Sequence, residues 1–175
     1  MKIKYLFGTL ALVALMASCS QQPNREESLQ EISTADSTFT SNANKMAINP
    51  AEASHMIALY TQFVDRFPSD SLAPIFLLKA GDIAAHTANT DTAIMLYDRA
   101  ISDYAAFPHI DEAYFCKAWT LESAERYAEA KEAFEIFVEK YPDHPLANDI
   151  RLQLKNNLIG LSPEEQLNAI LSQNE

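Results

Sequence analysis

Few side chains in this 175-residue chain could carry chemistry, and their spacing is poor for it. The four histidines, His55, His86, His109 and His144, are scattered, and no two share a short helical spacing. They write no zinc signature, so a metal site would need long-range convergence, and neither a metal nor a cofactor is expected. His109 precedes Cys116 by seven residues, a spacing that suggests a thiol and its base. Two turns of helix put them ~10 Å apart, too far for direct proton transfer. The adjacent carboxylates Asp111-Glu112 and Glu164-Glu165 could serve as acid and base, but both pairs fall at expected helix starts, where the helix dipole favours negative charge.

Composition narrows the field further. Only Gly8, Gly81 and Gly160 are glycines. A dinucleotide fingerprint, a P-loop and a nucleophile elbow each need two or more glycines within a few residues, so all three are excluded. Glycine scarcity also disfavours hairpin-rich β architectures and favours helices joined by short turns. A net charge of -11 opposes binding to nucleic acid, whose phosphates are gripped by basic surfaces. The chain is expected not to be an enzyme.

The second cysteine, Cys19, lies in a different setting. Lys2 and Lys4 precede an apolar run from Leu6 to Met16, followed by Ala17 and Ser18. The run is too short for a bilayer core that needs ~20 residues, so residues 1–18 read as a secretory signal peptide. Leu15-Met16-Ala17-Ser18-Cys19 resembles the lipobox of bacterial lipoproteins, with Met16 where leucine is usual. That resemblance implies lipidation of Cys19, which becomes the mature N-terminus, and several acyl chains hold a protein firmly to a membrane. Ser20 and Gln21, with no aspartate after the cysteine, resemble the outer-membrane retention pattern of Gram-negative bacteria, and the periplasmic face is the expected location. Cys116 is then left without an intramolecular disulfide partner.

Half of the residues from Ser20 to Asn49 are Ser, Thr, Asn or Gln, so 19–49 reads as a lipidated N-terminus and disordered tether with a typical reach of about 30 Å. Order is expected from Asn49-Pro50-Ala51-Glu52, a helix-capping sequence.

Beyond it the chain repeats itself. Phe63-Val64-Asp65-Arg66-Phe67-Pro68 matches Phe137-Val138-Glu139-Lys140-Tyr141-Pro142 at an offset of 74, and Ala100 to Tyr104 stands at the half-step of 37. Ile110, Ala113, Tyr114, Ala118 and Leu121 form one helical stripe, and Tyr127, Ala130, Phe134, Phe137 and Tyr141 form the next. Helices are expected over 50–66, 71–86, 91–104, 110–123, 127–140, 145–159 and 163–172. Gly160 is expected at the exit of the sixth, Ser162 to Glu165 as a capping box for the seventh, and Gly81 where paired helices approach closely.

Tyr114, Ala118, Leu121, Tyr127, Ala130, Phe134 and Pro142 fall where the signatures of tetratricopeptide repeats lie, so residues 50–175 resemble that family. The resemblance implies an all-α fold in which antiparallel helix pairs stack as a short right-handed α-solenoid of about three and a half repeats. The longer period and the Tyr-Pro endings resemble the repeat lipoproteins of outer-membrane barrel assembly and of the Tol-Pal system in Gram-negative, Bacteroidetes-like bacteria.

In that family the first helix of each pair lines a concave groove. Phe115 and Trp119 lie off the core stripe of their helix, with Glu112 and Glu122 extending their strip. Carrying the register forward places Asn148, Arg151 and Lys155 on the same face of the next repeat. Such an aromatic floor, flanked by acids and then bases, suits a peptide or protein partner. Ordinary packing between neighbouring helices is the competing reading of Phe115 and Trp119. The expectation is therefore a membrane-anchored, non-enzymatic adaptor of the cell envelope. The alternatives are an accessory of outer-membrane protein assembly or envelope division, and a glycan-capture lipoprotein.

Overall fold

The computed structural model describes residues 23–43, 48–156 and 158–172, so residues 1–18, read as a signal peptide, and Cys19 lie outside the described residues. Among the described residues eight α-helices follow one another: α1 Arg25–Ala43, α2 Pro50–Arg66, α3 Ala73–His86, α4 Thr90–Asp103, α5 Ile110–Ser123, α6 Tyr127–Lys140, α7 Ala147–Lys155 and α8 Pro163–Ser172. No strand occurs among the described residues. From α1 to α7 each helix packs on the next, and α3 also touches α5, the side-by-side contact of first helices in an α-solenoid of tetratricopeptide-like repeats.

The period of 37 is written in the backbone. After α2, Phe67 N–H donates to Phe63 O, Asp70 N–H to Phe67 O and Ala73 N–H to Asp70 O. The same three bonds recur through Tyr104, Phe107 and Ile110, and again through Tyr141, His144 and Ala147. The turns within pairs match as well. Ala88 and Glu125, one period apart, adopt left-handed φ values of 56° and 60°. Behind them Asn89 N–H reaches Ala84 O and Arg126 N–H reaches Leu121 O, closing the helix ends on their last free carbonyls.

Small residues set the spacing between helices. Ala80, Ala84, Ala93, Ala100, Ala113, Ala118 and Ala130 are fully buried, and Tyr60, Phe63, Tyr97 and Phe137 fill the space beside them. Gly81 lies under the ring of Tyr97, where an added Cβ would stand 2.6 Å from Tyr97 Cε1. The Tyr97 hydroxyl donates to Asp82 Oδ1 at 2.7 Å, fixing the ring over the gap.

Two expectations are corrected. A helix, α1, occupies most of the segment read as a disordered tether. Asn24 and Glu27 cap its start reciprocally, at 3.0 and 2.9 Å. Its stripe of Leu29, Ile32, Ala35 and Phe39 packs into the same core as α2 and α3, with Ile32 buried. Arg25 binds Asp70 in the α2–α3 turn, and Lys79 reaches Asp36 at 3.1 Å. Four apolar residues in a polar segment suffice because tertiary packing, more than propensity, stabilises a helix.

The helix expected over 145–159 ends early, at Lys155, and Gly160 is not its exit residue. With φ at 80°, Gly160 lets the chain turn back so closely on α6 that a Cβ there would lie 2.5 Å from Lys131 Cβ. Ile159 is thereby buried in the second half of the core. As expected, α8 opens with the Ser162–Glu165 capping box. However, it buries no residue and leaves Leu167, Ile170 and Leu171 exposed.

Candidate interaction groove

Cys116 is half-buried, and burial, with help from Asp82 and Glu112, pushes its thiol up to about 11, the opposite of an activated nucleophile. His109 is exposed at the start of α5, 3.7 Å from Glu112, and its ring rests edge-on to Phe107. Asp111 and Glu112 lie in the first turn of α5, and Glu164 and Glu165 in that of α8. Asp82 is raised above the usual carboxylate range by burial, which the Tyr97 hydroxyl partly offsets. This pair braces α3 against α4 and was not visible in the sequence, because nothing local joins residues fifteen apart.

Phe115 and Trp119 do come together. One turn apart on α5, their rings stack with centroids 6.5 Å apart and planes 16° apart. Phe115 has a double role. Its inner side meets Phe134 and Phe137 at 6.2 and 5.6 Å, so it belongs partly to the core. Its outer side floors a pocket of about 370 Å³ between α5, α7 and the loop after α7. Trp119 is 59% exposed at the pocket's edge. It also borders a second hollow lined by His86 of α3 and Thr120 and Ser123 of α5, so it forms a ridge on the face shared by first helices.

Glu122 lines the pocket, and Glu112 does not. Burial holds the Glu122 carboxyl above the usual range, with the Gly160 amide opposing, and its Oε2 is buried without a hydrogen-bond partner.

Asn148, Arg151 and Lys155, expected on this face, do not line the pocket. Arg151 turns towards α6, donating to the carbonyls of Val138 and Pro142, each at 3.2 Å, and to Asn148 Oδ1 at 2.8 Å. There it satisfies carbonyls around the end of α6, a favourable place for a cation. Lys155 is exposed and does not line the pocket. The α7 residues that do line it are Leu146, Asp149, Ile150 and Gln153. A signal for Asp149 existed, since it stands one 37-residue period after Glu112, whereas the 36-residue step to Asn148 misses it by one residue.

Among the described residues, no group of His, Cys, Asp and Glu is placed to hold a metal ion, and no helix is long and apolar enough to cross a membrane. No curated protein matches the sequence. Residues 112–144, which cover most of the α5–α6 hairpin bearing Phe115 and Trp119, match the tetratricopeptide repeat family, whose repeats generally mediate protein–protein interaction.

Proposed function

We propose that this protein is a non-enzymatic adaptor, lipid-anchored through Cys19 at the periplasmic face of a bacterial outer membrane, that binds a protein or peptide partner on the α5–α7 face. The observation that supports the binding half is Trp119. Soluble helical repeats bury their large aromatics, yet this indole projects from an apolar floor with little covering it.

The anchoring half rests on the order of basic, apolar and small residues before Cys19. The docking of α1 sharpens its geometry. Only four residues lie between Cys19 and Asn24, the cap of a helix fastened to the repeats. At ~3.3–3.6 Å per residue this link spans less than about 20 Å, so the anchored domain would sit close to the lipid surface and not ~30 Å away.

Two experiments divide the proposal. Trp119 fluorescence titrated with peptides and with oligosaccharides should respond to peptides alone, and a response only to sugars would favour a glycan-capture role. Cys19→Ala should release the protein from membrane to soluble fractions, and unchanged membrane association would remove the anchor from the account.

A further inference from the structure

The α5–α7 pocket is apolar in its floor and acidic at its edges. Glu122 and Asp149 line it, and no lining residue is cationic. Arg151, the α7 cation nearest in sequence to Asp149, is committed to the carbonyls of Val138 and Pro142. Glu122 Oε2 is buried without a hydrogen-bond partner of its own, although the Gly160 amide lies close enough to the carboxyl to favour its charged form. A carboxylate oxygen removed from water and left unpaired is costly, and such groups are ordinarily satisfied.

Building on the reading of this face as a peptide-binding surface, we infer that the pocket takes a cationic anchor, a lysine or arginine side chain of the partner. Its aliphatic stem lies along Phe115 and Trp119, and its charged head reaches Glu122, with Asp149 at the rim.

The fit follows from size, shape and charge. A volume of about 370 Å³ admits one or two side chains and not a helix. Lysine and arginine are the side chains that combine an apolar stem with a charged end. The exposed indole offers its face to the same cation. Charge complementarity also excludes the opposite ligand, since an anionic chain terminus would meet two carboxylates and no base. The net charge of -11 adds a long-range attraction for basic partners.

The test begins with a random peptide library displayed on phage, selected on the immobilised full chain and counter-selected on Trp119→Ala. Trp119-dependent peptides should be enriched in Lys or Arg beside an apolar residue. A synthetic peptide of the selected sequence should bind wild type about ten- to a hundred-fold more tightly than Glu122→Gln, the span of one charge-assisted hydrogen bond. Replacing its basic residue with norleucine should lose the same factor on wild type and little on Glu122→Gln. Glutamine keeps the shape of glutamate and relieves the unpaired charge, so the variant should unfold no lower than wild type. Trp119-dependent peptides without a basic preference, or an unchanged affinity in Glu122→Gln, would overturn the cationic anchor and leave the peptide groove standing. A library yielding no Trp119-dependent peptide would overturn the groove reading itself.

Discussion

Gly81→Ala tests whether the close approach of α3 and α4 is set by the ring of Tyr97. In an isolated helix the change should help, since alanine exceeds glycine in helix interiors by about 0.5–1 kcal/mol. Here the new methyl would stand 2.6 Å from Tyr97 Cε1 and 2.9 Å from Cδ1 and Cζ, contacts that side chains do not tolerate. The ring has little room to yield, being 1% exposed and tied through its hydroxyl to Asp82 at 2.7 Å. Overpacking of this kind costs ~1–3 kcal/mol, and losing the hydroxyl bond adds about 0.5–1.5. The balance is a net loss centred on about 2 kcal/mol, a fall in Tm of roughly 4–8 °C for a domain of this size. Thermal unfolding followed by circular dichroism at 222 nm measures it. In a Tyr97→Leu background the clash is gone, and the same Gly81→Ala change should become neutral or stabilising. A Gly81→Ala protein as stable as wild type with Tyr97 present would refute the reasoning.

Other consequences are equally specific. Ile32→Ala removes the buried centre of the α1 stripe and should cost about 2–5 kcal/mol, seen as faster amide exchange across residues 25–43, and unchanged exchange there would mean that α1 is held by something else. The Arg25 guanidinium holds the Asp70 carboxyl below the usual carboxylate range, so the pair's contribution is present at neutral pH and fades as pH falls through that lowered value. The stability gap between wild type and Asp70→Asn should therefore narrow on acidification, and a gap constant from neutral to strongly acidic pH would contradict it. With its thiol pushed up to about 11, Cys116 in a Cys19→Ala background should alkylate at pH 8 at least ~100-fold more slowly folded than in denaturant, and comparable rates would contradict its burial.

The repeats were legible because their signals are local and recur. The Phe-Pro and Tyr-Pro endings and the small residues at constant spacing fixed α2 to α6 to within a residue or two, and the backbone repeats the same period in its turns. The missed helix, α1, has a polar composition that sequence reading equates with disorder, and its four apolar residues acquire meaning only against the core cluster to which Met56, Tyr60 and Phe63 belong. In α7 the fault was one of register. Asn148, Arg151 and Lys155 stand 36 residues after Glu112, Phe115 and Trp119, one short of the 37-residue period, and a one-residue shift rotates a helix by about 100°, enough to put Asn148 where Asp149 faces the pocket. Phe115 shows why a groove residue and a core residue need not be different residues. It packs on Phe137 with one side and floors the pocket with the other, and no pattern in the chain distinguishes the two.

Photo-cross-linking tests the central claim most directly. A benzoylphenylalanine placed at Gln153, on the groove face, should give a discrete protein adduct in cells that make the protein naturally, and Trp119→Ala should abolish it. The same group at Glu139, exposed on α6, should give none. No adduct at Gln153, or one that persists without Trp119, would contradict the assignment of this face as the partner-binding surface.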